Sequence, residues 1–382
     1  MPLARDPVAE PTTPPRAATT LRTVTRPLLD DFHAIVPAGG SGTRLWPLSR
    51  QSRPKFLLDL LGGGRTLLQQ TWDRLEPLVG ADHVHVVTGI AHTGGVREQL
   101  PDLTHLVVEP SPRDSMPAIA LAAAIIAERE PDAVVGSFAA DHVIGDEAVF
   151  AAAVAEAVVA ARTGLLVTIG ITPDSPSTAF GYIEGAETLG LAGAPAAHAV
   201  RRFVEKPDLD TARDYVASGA FSWNAGMFVV RASVLLDHLA RLQPTLHDGV
   251  REIARSWHLP DRDEVLARVW PGLTKIAIDH AIAEPVSLEG GMAVVPGTFG
   301  WDDVGDFAAL ADVGATSTEG TIFVDADGLV IAAEGTTVAV VGLQDVVVAH
   351  TADAVLVTTR EHSQRVKEVS AVLQELGRAD LR

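Results

Sequence analysis

The chain has 382 residues, 47% of them hydrophobic, with 30 Lys+Arg against 49 Asp+Glu and a formal net charge of -19. It contains no cysteine, which excludes disulfides, thiolate zinc sites and cysteine nucleophiles and fits a reducing cytoplasm, the expected location. The acidic balance argues against a nucleic-acid partner, and no uninterrupted apolar run approaches the roughly 20 residues that span a bilayer, so no membrane partner is expected.

The first residues, MPLARDPVAEPTTPPRAATT, lack an apolar signal core. Their Pro, Ala and Thr content predicts a disordered tail over 1–29. From His33 to about Gly170, apolar strands alternate with Ala-rich helices. HAIVPA, HVHVVT, HLVVEP, AVVGSFAA and GLLVTIG read as strands. TLLQQTWDRLEPL, MPAIALAAAIIAERE and EAVFAAAVAEAVVAA read as helices. The alternation predicts an α/β fold with a mostly parallel sheet and helices on both faces. Ligands in such folds sit beyond the carboxyl ends of strands. From Gly181 the pattern is mixed: GYIEGAE and AVRRFVEKP read as strands, TARDYVASG as a helix, and GMFVVRASVLLDHLARL as a strand passing into a helix. Antiparallel insertions are therefore expected. After Val313, short Val-rich strands with Gly and Asp turns predict a small β domain, closed by a terminal helix in SQRVKEVSAVLQELGR. The expected division is a tail over 1–29, a catalytic domain over 30–312 and a β-rich domain over 313–382.

The first strand runs into AGGSGTRLWPLSRQSRPKF, where an acidic chain gathers Arg44, Arg50, Arg53 and Lys55. Gly39, Gly40 and Gly42 let backbone N–H groups approach phosphate oxygens. Arg44 can add a bidentate cation and Lys55 a point charge. Taken alone, the glycines favour a tight turn with ordinary surface cations. A Walker A loop would end in Gly-Lys-Ser/Thr where this one has Gly-Thr-Arg, and a dinucleotide fingerprint needs a glycine where Leu45 stands. Local cations remain compatible with an anionic small ligand despite the net charge.

GGSGTRLWPLSR followed by RPKF resembles the signature of sugar-1-phosphate nucleotidyltransferases, most closely the mannose-1-phosphate guanylyltransferase branch. The resemblance continues in family order through EPSPRDSMPAIALAA, AADH, FGYIE, FVEKP, WNAGMFV and WDDVG, from His33 to about Leu310. It implies a Rossmann-like, GT-A-like mixed sheet flanked by helices, with the small β-rich domain appended. It implies that mannose 1-phosphate attacks the α-phosphate of GTP, giving GDP-mannose and pyrophosphate. A phosphate monoester is already mostly dianionic at neutral pH, so no protein nucleophile is needed. Catalysis would rest on positioning, cations and metal.

By this resemblance Arg44, Lys55, Asp141 and Asp303 are catalytic, and Asp141 and Asp303 hold Mg2+ (or Mn2+), which prefers carboxylate and phosphate oxygens. Gly39, Gly40, Gly42, Thr43, Arg44, Glu109 and Arg113 bind the nucleotide. Gly181, Glu184, Glu205, Lys206, Asn224 and Gly226 bind the sugar phosphate. Individually, Asp141 reads as a cap, Asp303 as a solvated loop carboxylate, Glu184 as an exposed strand residue, and Glu205–Lys206 as a surface ion pair. Adjacent strand residues point to opposite faces, so Glu205 and Lys206 share a site only if the backbone bends near Pro207. Guanine selection stays open among the loop backbone, Glu109 and Arg113–Ser115, where Arg-Asp-Ser replaces the family's common Arg-Asn-Thr. Ala139 stands where the family usually has proline.

His142 reads as a packing residue beside Asp141, and Met116 as helix core. His83 and His85 alternate on a predicted strand. The lack of cysteine and of HExxH argues against a zinc enzyme. Some relatives continue into a cupin-like isomerase domain, which a chain of this length is expected to lack. The β-rich end is expected to pack on the catalytic domain or to form a homodimer interface. Two alternatives remain: a transferase for another hexose 1-phosphate, such as glucose 1-phosphate with UTP or dTTP, and a non-catalytic nucleotide-sugar sensor.

Overall fold

The computed structural model describes residues 29–40 and 42–382. Most of the tail expected over 1–29 lies outside the described residues. Leu29 is within them and is buried against the core.

The first half follows the alternation read from the sequence. Strand β1 (Phe32–Ala38) leads to α1 (Leu67–Val79), β2 (Val84–Gly89), α2 (Thr93–Gln99), β3 (His105–Glu109), α3 (Ser115–Ala127) and β4 (Val134–Ser137). These four strands are parallel neighbours in the order β3-β2-β1-β4. A two-residue strand, β5 (Val143–Ile144), follows, then α4 (Glu147–Ala161), β6 (Leu166–Ile171), β7 (Tyr182–Thr188), β8 (His198–Val204), α5 (Leu209–Ser218), β9 (Phe221–Arg231), α6 (Ala232–Leu242), α7 (Pro244–Ser256), α8 (Arg262–Val269), α9 (Glu284–Leu288) and β10 (Met292–Gly297). The full sheet has nine strands in the order β3-β2-β1-β4-β9-β6-β10-β8-β7. β9 runs antiparallel to both β4 and β6, and β7 and β8 pair antiparallel at the far edge. The antiparallel insertions expected after Gly181 are these strands.

Helix α3 is apolar on every side, from Met116 to Ala127, and is correspondingly buried on every side. It packs with α6 and α7 on one face of the sheet, while α1 and α4 fill the other. The last two helices begin at capping residues: Thr66 and Gln69 form a capping box on α1, and Asp146 accepts from two backbone N–H groups of α4.

After β10 come β11 (Trp301–Asp302) and α10 (Phe307–Asp312). β11 pairs antiparallel with β5, setting Asp302 opposite Val143. The C-terminal part comprises β12 (Thr321–Val324), β13 (Gly328–Ile331), β14 (Val338–Val341), β15 (Val346–His350), β16 (Val355–Thr359) and α11 (Lys367–Glu375). Of its strands, β15 and β16 form an antiparallel hairpin, and the others do not. β12 pairs parallel with β14, and β13 with β15, so the chain coils and returns in the same direction. The coil packs onto the preceding region: Leu45, Trp46, Val304 and Phe307 share a core with Leu329, Val347 and Leu373. Arg50 is drawn to this interface, donating to the Leu381 carbonyl at 2.8 Å and pairing with Asp353 at 2.8 Å.

Candidate active site

The glycine loop leaves the carboxyl end of β1 and turns into a short helical segment at Thr43–Leu45. Gly42 has φ +59°, and a Cβ there would stand 2.8 Å from the Lys55 Cβ. Only glycine meets both demands without strain. The loop is thereby held against Lys55, with the Ser49 hydroxyl donating to the Gly42 carbonyl at 2.5 Å. Gly42→Ala is expected to cost about 1–3 kcal/mol of stability, from positive φ and the displaced lysine. A thermal melt unchanged from the parent would contradict that account.

Lys55 is only 8% exposed. Its ammonium lies 2.7 Å from Asp141 Oδ2 and donates to the Asp303 carbonyl at 2.5 Å. The β5–β11 ladder explains why residues so far apart in sequence meet. Asp141 precedes β5 and Asp303 follows β11, and the two strands are antiparallel. Burial pushes the Asp141 carboxyl upward, but Lys55 and His142 outweigh it and hold it below the usual value. His142 is pushed down to about 4 by burial, so it is a neutral ring at physiological pH. Its Nδ1 accepts from the Trp301 indole at 3.2 Å, in keeping with the packing role read from sequence.

Asp302 and Asp303 divide their tasks. Asp302 Oδ1 accepts from the Val304 N–H at 2.5 Å and supports Val304 at φ +45°, a strained position for a β-branched residue. Burial pushes Asp302 up to about 6. The Asp303 carboxylate has no hydrogen-bond or ion-pair partner among the described residues. A Cβ built on Gly305 would stand 3.2 Å from Asp303 Oδ1 and 3.5 Å from an Arg44 nitrogen. Gly305 thus leaves open the space where Arg44 and Asp303 approach. Among the described residues no three His, Cys, Asp or Glu side chains form a preformed metal cage. A pair of carboxylates beside the glycine loop, as Asp141 and Asp303 form, is instead the kind of donor set that suits magnesium, which keeps waters and substrate oxygens in its shell.

Beside these carboxylates is a cavity of about 160 Å³, lined by Gly181, Glu205, Lys206, Asn224, Gly226, Asp279 and Asp303. The bend required between Glu205 and Lys206 occurs at Lys206 itself, with φ +44°, and both side chains reach the cavity. Their carboxylate and ammonium are hydrogen-bonded. Burial alone would lower Lys206, but Glu205 more than offsets it and holds the ammonium pKa above its ordinary value. Gly181 is small for a reason: a Cβ would come within 2.7 Å of Glu205 Oε2. The Asn224 amide is fixed at both ends. Its oxygen accepts from Thr168 at 2.7 Å and from the Gly226 N–H at 3.1 Å, and its nitrogen donates to Asp279 at 3.0 Å.

Two residues expected in binding roles are engaged elsewhere. Glu184 does not line the cavity; its carboxylate pairs with Arg201 at 2.9 Å and Arg202 at 3.1 Å. Arg113 donates to the carbonyls of Leu273 at 3.2 Å and Pro271 at 2.6 Å. Its guanidinium ties the EPSPRDS loop to the segment before Asp279. Asp114, at φ +70°, caps α3. Asp279 escaped the sequence reading. It lies in AIDHAIAE, without phosphate-loop glycines or paired acids to mark it, and only the fold carries it to Asn224. Burial, reinforced by Glu205, pushes it up to about 6.

Glu109 ends β3 on the same edge of the sheet as the glycine loop. It is buried, and its Oε1 has no hydrogen-bond partner. Burial pushes the carboxyl up to about 7. An orphaned buried acceptor is costly unless something supplies a donor.

Two family models match the chain. A model described as nucleotidyl transferase matches residues 33–320, and one described as MannoseP isomerase/GMP-like beta-helix domain matches residues 319–373. The xanthan biosynthesis protein XanB of Xanthomonas campestris pv. campestris is 40% identical over 92% of this chain and 75% of its own length. The mannose-1-phosphate guanylyltransferase of Escherichia coli K12 is 39% identical over 92% of this chain and 75% of its own length. A crystal structure from Thermus thermophilus, described as a mannose-1-phosphate geranyltransferase, superposes with a TM-score of 0.79 at 32% identity. It covers 90% of this chain and 99% of that one. Among the described residues, no helix is long and apolar enough to cross a membrane.

Proposed function

The chain belongs to the nucleotidyl transferase family, and from that premise we propose how its residues make GDP-mannose and pyrophosphate from GTP and α-D-mannose 1-phosphate. The observation that carries the reading is the β5–β11 ladder. It sets Asp141, Lys55 and Asp303 between a phosphate-type glycine loop and a polar cavity containing Lys206. The backbone of Gly39, Gly40, Gly42 and Thr43, with Arg44, receives the triphosphate. Lys206 receives the sugar phosphate, while Glu205, Asn224 and Asp279 meet the hexose hydroxyls.

The bond that forms joins a mannose phosphate oxygen to the α-phosphorus. The bond that breaks joins that phosphorus to the bridging oxygen of pyrophosphate, which leaves with the electron pair. The nucleophile is already ionised, so no side chain removes a proton. The chain holds two anions in line and offsets charge on the transferring group. Asp141 and Asp303 are the residues that would hold Mg2+ or Mn2+, whose charge further stabilises the phosphate oxygens.

Glu109 is the residue proposed to read guanine. The base presents N1–H and N2–H donors to a carboxylate whose Oε1 is buried and unpaired. Adenine presents an acceptor at N1 and so cannot supply the paired donors. Glu109→Gln is expected to reduce the preference for GTP over ATP by about 10- to 100-fold in kcat/KM. Preserved discrimination would move base reading to the loop backbone.

Lys206→Ala is expected to raise the KM for mannose 1-phosphate by about 10- to 100-fold while leaving the KM for GTP nearly unchanged. An unchanged response to the sugar phosphate removes Lys206 from that role. The reaction itself is tested by pyrophosphate release, crossing GTP, ATP, UTP and dTTP with mannose 1-phosphate and glucose 1-phosphate. GTP with mannose 1-phosphate is the expected best pair. Another best pair would keep the transfer chemistry and replace the substrates. Nucleotide binding without turnover would make the chain a sensor.

A further inference from the structure

At the amino ends of β1, β2 and β3, away from the carboxyl-end loops, lies a cavity of about 470 Å³. Its floor is a ladder of imidazoles. His33 and His85 are buried, with Nδ1 of one 3.1 Å from Nε2 of the other. His83 stacks on His33 at 4.1 Å, and His105 stacks on His85 at 4.6 Å. The last pair follows directly from register, because β2 and β3 set His85 opposite His105. The outer pairs stack face to face and the central His33–His85 pair is tilted at 47°; among the described residues no three such side chains are arranged to hold a metal.

The rim is cationic. Arg97, Arg129, Arg262 and His258 line it, with Asp82 and Glu130 as the acids. Glu130 is engaged by His33 at 3.2 Å, and Arg262 by Asp263 at 2.8 Å. Arg129 has no side-chain hydrogen bond or ion pair among the described residues, although it stands close enough to act on both His105 and His258. Arg97 also has no ion pair among the described residues, and Asp82 is the rim acid left to face it and Arg129, so the rim keeps an excess of positive charge that an anion from outside can meet.

We propose that this cavity binds a phosphate-sized dianion, the phosphoryl group of a small molecule, with Arg129 as the principal cation and His105 and His258 as donors. This site is separate from the transfer site and does not depend on the reading of it. Its proton linkage follows from the surroundings. Burial lowers His105 and His258, and Arg129 lowers both further. Asp82 opposes this at His105, while His83 adds to it there, and His105 and Arg262 add to it at His258. A bound dianion cancels the field of Arg129 and favours the protonated rings. Binding therefore takes up protons and strengthens as pH falls toward the ordinary histidine range. His85, pushed down to about 2 by burial, stays neutral and serves as floor.

Sulfate is the probe, because its charge is constant across this range. It is titrated into the full chain at about pH 6 and about pH 8, and binding is followed by calorimetry and by histidine ring NMR. The parent is expected to bind more tightly at the lower pH, with His105 and His258 resonances shifting. Arg129→Gln, at an exposed position, is expected to weaken binding by about tenfold or more, while GTP and mannose 1-phosphate turnover is unchanged. Lys206→Ala is expected to retain sulfate binding. Equal affinity in Arg129→Gln and parent, equal affinity at the two pH values, or loss in Lys206→Ala instead would each overturn the proposal.

Discussion

Replacing Asp303 by Asn is expected to lower kcat by about 10²- to 10³-fold with almost no change in melting temperature. The two halves of this result have separate causes. The carboxylate has no partner among the described residues, so the fold gains little from its charge. The atom of Asp303 that the fold does use is its backbone oxygen, which receives the Lys55 ammonium, and an asparagine keeps it. What is lost is the anionic oxygen pair at the cavity that Lys206 lines, and a neutral amide is a poor ligand for a hard divalent cation. Asp302 supplies the contrast. Its carboxylate accepts from the Val304 N–H, so Asp302→Ala should lower stability and Asp302→Asn, which keeps an acceptor, should act mildly. Kinetics over a magnesium titration, beside thermal melts of all three variants, decide the assignment. Full activity of Asp303→Asn at saturating magnesium would remove Asp303 from the metal role.

The strand-helix alternation through Gly170 was legible because period and length are local properties; the sheet order β3-β2-β1-β4 was not, because pairing joins segments distant in sequence. The cations of the glycine loop were only partly legible. Arg44 and Lys55 face the site, whereas Arg50 belongs to the C-terminal coil, a partner that no local pattern identifies. Asp141 and Asp303 came from motif resemblance; the spacing between them says nothing, and the cause of their meeting is a two-residue ladder too short to recognise in sequence. Glu184 came from motif resemblance, and its surroundings were not legible because a strand residue's face depends on register, which here sets it opposite Arg202. Arg113 was given to the nucleotide by motif resemblance alone; its donors go to the Pro271 and Leu273 carbonyls. Asp279 was invisible because an acid at the start of an apolar helix ordinarily reads as a cap. Only the fold aims it at Asn224, and only burial raises it.

Lys55→Met is the substitution expected to damage both fold and chemistry, and a second substitution separates the two. Lys55 is nearly buried and its partner Asp141 is partly so. Removing the ammonium leaves a carboxylate that burial already disfavours, together with an unanswered Asp303 carbonyl. Breaking such a pair from one side costs about 2–4 kcal/mol, less than for a fully enclosed pair because Asp141 retains some solvent. Turnover should fall by about 10²-fold or more, since the cation between the phosphate loop and the carboxylates is gone. Adding Asp141→Asn to Lys55→Met removes the stranded charge. The double variant should recover most of the lost stability, because the penalty lies in the unpaired carboxylate rather than in missing attraction. It should recover none of the turnover, because both a cation and a metal carboxylate are now absent. A double variant as unstable as Lys55→Met would mean that Lys55 acts chiefly by packing under Gly42. Recovery of activity along with stability would mean that the Lys55–Asp141 pair is structural, and that the transferring phosphate is held by Arg44 and Asp303 without it.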